Sequence, residues 1–178
     1  MNIDCNVPAI QTKAGASGFI NTAPDNDGIY RRTPLLIEYK GRYYPSLALQ
    51  TFLTAKAIDN FVLMPNEMGL TLRLGKMAVP LDKAGNLLVR LPAQGQSFEK
   101  VSAVQLLSGN LDPNLIKGKI VFVGFSAAGL HEVRPTPYEP QFLGVGLHAA
   151  IVDNLERQDF LQRPDQALVM EIASAALV

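Results

Sequence analysis

Ser126, His131, Glu132 and His148 are the residues of this chain whose types could do chemistry in concert. Ser126 stands in Gly124-Phe125-Ser126-Ala127-Ala128-Gly129, directly after the apolar run Ile120-Val121-Phe122-Val123. A serine nucleophile on a sharp strand-to-helix turn needs glycine two residues further on, and that position is Ala128. Neither histidine has a spacing that marks it as the base. The small residues suit a loop that packs closely, or one that holds an anion with backbone N–H groups. A hydrolase using Ser126 therefore ranks behind the non-catalytic readings, and no catalytic residue is assigned.

The remaining polar groups divide in the same way between function and architecture. His148 precedes Ile151, Val152 and Leu155 by three, four and seven residues, so it shares the apolar face of a helix. There it serves as a core histidine, or as a pH-responsive or ligand-contacting one tuned by Glu132 or Asp153. Asp25, Asp27 and Gly28 lack the further ligands of a calcium loop and read as a turn. Arg31 and Arg32 could hold an anion, but are expected rather to pair with nearby carboxylates. Of Tyr43 and Tyr44, strand alternation places one toward the core. Cys5 is the single cysteine, which rules out an internal disulfide and a cysteine-rich metal site. No metal and no cofactor are expected.

Elements that could position these groups follow from hydrophobic periodicity. Residues 5–17 carry a weak helical pattern, and Phe19-Ile20-Asn21 a short strand. Ile29–Tyr39 and Arg42-Tyr43-Tyr44 flank Lys40-Gly41, the two residues of a hairpin turn. Pro45 opens a helix with Ala48, Leu49, Phe52, Leu53 and Ala57 on its buried face. Leu70, Leu72 and Leu74 alternate with polar residues as in a half-buried strand. Gly75-Lys76 turns into Met77–Leu81, and the Asp82–Asn86 turn into Leu87–Leu91. Ser102-Ala103-Val104-Gln105 fits a capping box, and Asp112-Pro113 begins another helical turn. Ile120–Val123 reads as a strand buried on both faces. A last helix covers Leu147–Arg157. The simplest fold that buries these faces is mixed α/β (α+β), a single domain with a mixed sheet and β-hairpins flanked by helices.

Bulk composition limits the partners. Sixteen basic and sixteen acidic residues among 178 cancel, with no basic run, which excludes a nucleic-acid footprint. Apolar residues make up 48% and charged ones 18%, the balance of a folded domain rather than a disordered one. Residues 1–18 lack the layout of a signal peptide. Ala167–Val178 is apolar but too short to span a bilayer, which takes about 20 residues. It reads as a C-terminal core helix or as the first turns of a transmembrane helix.

The run Gly118-Lys119-Ile120-Val121-Phe122-Val123-Gly124, then Ala128-Gly129-Leu130, Thr136-Pro137, Gly144-Val145 and His148-Ala149, resembles the CHASE2 sensory domain. Gly18-Phe19-Ile20-Asn21, Asp25-x-Asp27-Gly28-Ile29-x-Arg31-Arg32 and Pro34-Leu35 extend the resemblance over roughly residues 15 to 165. Glu132 stands near a position where that family often carries aspartate. The resemblance implies an extracytoplasmic, periplasmic sensory input domain at residues 1–165, truncated at its N-terminus. Residues 166–178 would begin a following transmembrane or output helix. The parent would be a membrane-anchored bacterial cyclase, histidine kinase or Ser/Thr kinase of the inner membrane, and this fragment would have no catalysis of its own. The candidate ligand-binding set is Gly124, Ser126, Ala127, Glu132 and Thr136, with His148 behind them. The stimulus would be a small molecule or a physical change. A homodimer is compatible with this reading, and a self-associating interaction module is the alternative.

Overall fold

The computed structural model describes residues 6–67, 69–93, 98–125 and 133–162. A short helix, α1 (Pro8–Gln11), falls within the weak helical pattern. Strands β1 (Arg32–Pro34), β2 (Leu36–Tyr39) and β3 (Arg42–Pro45) follow, then helix α2 (Leu47–Ala55). Next come the meander β4 (Val62–Pro65), β5 (Leu70–Leu74) and β6 (Met77–Leu81), then β7 (Asn86–Leu88). Helix α3 (Ala103–Leu107), a 3-10 turn at Pro113–Leu115, β8 (Val133–Arg134), β9 (Phe142–Leu143) and helix α4 (Gly144–Arg157) complete the order. The architecture is the mixed α/β one expected, with its strands in antiparallel ladders: β4-β5-β6, β1-β7, β2-β3 and β8-β9.

Local chemistry explains most of these elements. Lys40 and Gly41 both take positive φ, 51° and 73°, the conformation a two-residue turn needs to match the strand twist. The β2–β3 hairpin therefore pairs Tyr39 with Arg42 and Leu36 with Pro45. Pro45 is the last residue of β3 rather than the start of a helix. Ser46 caps α2 instead, its Oγ accepting from the Leu49 N–H at 3.3 Å. The helix then ends at Ala55, so Ala57 lies beyond it and is exposed. The capping box at α3 forms as expected, between Ser102 and Gln105.

Two further expectations are corrected. Phe19-Ile20-Asn21 makes no strand; Phe19 alone forms a parallel bridge to Ser46. Tyr43 and Tyr44 are both exposed, 49% and 42%, and among the described residues no third strand joins the two-stranded β2–β3 hairpin. Tyr44 packs edge-on against Tyr39, ring centroids 6.4 Å apart.

The core lies where α2 and α4 meet the meander. Leu49, Phe52 and Leu53 of α2 join Leu147, Ile151 and Leu155 of α4, with Leu72, Leu74 and Val79 from the strands. The chain following β7 is tied to α4 by Asn154, 3% exposed. Its Oδ1 accepts from the Arg90 N–H at 2.8 Å, and its Nδ2 donates to the Arg90 carbonyl at 3.0 Å. No helix among the described residues is long and apolar enough to cross a membrane. Residues 166–178, expected to begin a transmembrane or output helix, lie outside the described residues.

The Asp25–Gly28 turn is held by charge, as the sequence suggests. Arg31 bonds to Asp25 at 3.1 Å and to Asp27 at 2.8 Å, while Arg32 reaches Asp25 and Asp82. Hydrogen bonds from Arg31, then the N–H of Ile29, lower the Asp27 carboxyl from 3.8 to about 2. A depressed folded-state pKa contributes stability that is present above 3.8 and is lost as pH falls toward about 2. Asp27→Asn is therefore expected to flatten the acid limb of a melting-temperature profile in that window. Parallel acid limbs for variant and wild type would show that the pairing adds nothing.

Candidate functional site

Ile120–Val123 is the largest departure from the sequence reading. The run makes no ladder hydrogen bond among the described residues, and Val121 and Val123 are 57% and 91% exposed. Only Phe122 packs against the core. Continuous apolar character signals two faces to be covered, but a strand also needs a neighbour to accept its N–H groups. Here α4 supplies one face, and no strand among the described residues supplies the edge.

Gly124 is the reason the segment lies so close to α4. A Cβ at this position would sit 2.7 Å from the Cβ of Val145, closer than two carbons approach. The first turn of α4 is itself tight, since a Cβ on Gly146 would meet the Phe142 ring at 3.1 Å. Between these parts opens a cleft of about 380 Å³. Its lining comes from 98–101, from 115–125 and from the start of α4. Phe98, Phe122, Phe125 and Phe142 supply aromatic surface, and Glu99, Lys100, Lys119 and Glu139 supply charge. Lys119 and Glu99 face each other at 3.4 Å, both about half exposed.

Of the six candidate residues, Gly124, Thr136 and His148 are among the described residues. Gly124 lines the cleft. Ser126, Ala127 and Glu132, together with His131, lie outside the described residues. Thr136 is 5% exposed, and its hydroxyl donates to the Glu139 carbonyl while accepting the Glu139 N–H, both at 3.0 Å. The threonine thus closes the turn that presents Glu139 to the cleft. The His148 ring stacks on Phe122, centroids 6.3 Å apart and planes 25° from parallel. Phe122 stands in the lining, so His148 is one ring removed from it. Asp153, a candidate tuning partner for His148, is bonded to Arg157 at 2.7 Å. That bond raises the guanidinium pKa of Arg157.

Sequence reasoning missed Glu139 and the phenylalanines at 98 and 142. Glu139 lies in a proline-punctuated connection between Pro137 and Pro140, where no periodicity says which way a side chain faces. Among the described residues no three His, Cys, Asp or Glu side chains converge on a point that could hold a metal ion. Among the described residues the arrangement is an apolar, aromatic cleft with a few charges placed around it, a composition suited to binding.

The CHASE2 domain family profile matches residues 3–178. No curated protein matches the chain, and no solved structure does.

Proposed function

This chain belongs to the CHASE2 domain family, and from that membership we propose that it is the input domain of a membrane signalling protein ending in a nucleotide cyclase or a protein kinase. CHASE2 domains are extracytoplasmic sensory domains, so the role of the chain is sensing, not catalysis. The parent sits in a bacterial inner membrane with this domain on the periplasmic side. The cleft beside α4 is its input site.

The observation that supports this site is the contrast between the two sides of the cleft. Ile120–Phe125 has no ladder to break among the described residues, so it can shift at low cost. The opposing helix α4 is buried in the core through Leu147, Ile151 and Leu155. A ligand that binds two positions of the segment with different affinity shifts their populations, and α4 carries the difference onward. Gly124 permits the close approach, and His148 senses the segment through Phe122. Ser126, Ala127 and Glu132 follow the segment in the sequence, and Thr136 holds the turn at Glu139.

A bulky side chain in the cleft tests the proposal. Ala149 lines it from α4. In the full-length parent, Ala149→Phe is expected to abolish the response of the effector to its stimulus. A response equal to that of the wild type would remove the cleft as the input.

A second reading, self-association, rests on a separate observation. Val104 and Leu107 of α3, with Val123 and Phe125, leave apolar side chains largely exposed along one stretch of chain. Sedimentation showing a concentration-dependent dimer that Val123→Lys and Phe125→Lys disrupt would favour it; a monomer at all concentrations would eliminate it.

A further inference from the structure

We propose that the cleft takes a small organic ammonium ion with an apolar body, its charged head held by Glu139 and its body against Phe98, Phe122 and Phe142. The inference rests on the reading of the cleft as the input site and adds the chemistry of what enters.

Glu139 carries the argument. It is partly buried, it lines the cleft, and no cationic side chain among the described residues stands within ion-pair distance of its carboxylate. The cations nearby in the sequence or the lining are otherwise placed. Lys119 faces Glu99, Arg134 lies over the Tyr30 ring at 5.5 Å, and Lys100 is exposed, on a stem that can carry its charge into water. A carboxylate that lines the cleft without a cationic partner among the described residues gives an entering cation a charge to pair with. An anionic ligand would meet the same carboxylate with repulsion.

Two further features favour a cation. Phenylalanine rings present a negative face to a positive charge, and several of them line the same cleft as the carboxylate, a combination that suits an alkylammonium group. The backbone at Glu139 is also positioned in advance. The N–H and carbonyl of Glu139 are both bound by Thr136, so the backbone that bears the carboxylate is held, and only the side-chain rotamers have to be ordered on binding. At about 380 Å³ the cleft has room for a one-ring amine.

Three probes of similar size separate the alternatives: phenethylammonium, 3-phenylpropionate and 2-phenylethanol, titrated by calorimetry into wild type and Glu139→Gln. The expected result is saturable binding of the ammonium, weakened at least about tenfold in Glu139→Gln, with the other two probes weaker. The turn should survive this change because its bonds to Glu139 are made by the backbone, and an unchanged melting temperature without ligand verifies it. Phe98→Leu gives a second reading, expected to weaken the ammonium more than the alcohol. Equal binding of carboxylate or alcohol, or an unaffected Glu139→Gln, overturns the cation while leaving the cleft a binding site. Binding of none of the three overturns the inference as well. The Ala149→Phe response in the parent judges the input site separately, so the two failures can be told apart.

Discussion

Replacement of Phe52 by alanine is expected to cost about 3–5 kcal/mol, the usual range for deleting a buried aromatic ring. Phe52 is 1% exposed, on the face of α2 that joins α4 in the core. Neither helix can close the gap without withdrawing from the meander, so a cavity remains. Domains of this size hold about 5–15 kcal/mol in all. The loss therefore takes a large share of the total, and the variant should unfold at much lower denaturant. A midpoint shift equivalent to less than about 1.5 kcal/mol, with unchanged slope, would mean that α2 and α4 repack freely and that the core is looser than its burial implies.

Asn154→Leu is expected to cost about 2–3 kcal/mol by a different route. Leucine suits the buried face of α4 and keeps most of the volume, so a purely hydrophobic account predicts little change. The amide, however, satisfies both the N–H and the carbonyl of Arg90. Each partly buried backbone group left without a partner costs about 1–3 kcal/mol, reduced where water can reach it. The salt bridge from Arg90 to Asp159, at 2.8 Å and about half exposed, cannot replace the clamp. Equilibrium unfolding decides between the accounts: a neutral or stabilising leucine would show that water fills the place of the amide.

Legibility in the sequence followed how local each cause was. Lys40-Gly41, the Ser102–Gln105 capping box and the buried stripe of α4 depend on residues within one turn, and each forms where expected. Ile120–Val123 depends on something distant, a neighbouring strand, and its composition could state only that cover is wanted. Pro45 misled because its fixed φ serves a strand end as well as a first helical turn. For the candidate site, the glycine was legible as small. Its actual constraint, Val145 lying against it, required the path of the Pro-rich connection. Asn154 had left a readable sign, a polar amide three residues after Ile151 on an apolar helix face, which marks a partner to be sought.

The missing ladder along Ile120–Phe125 also sets a clock. Its amide protons have no acceptor among the described residues, whereas those of β5 lie between two strands. Deuterium should enter the first within the shortest labelling times and the second only through wider opening of the fold. One side of the cleft is thus expected to exchange fast while the helix opposite exchanges slowly, and any occupant that immobilises the segment should be seen as a slowing there before any other property of the domain changes.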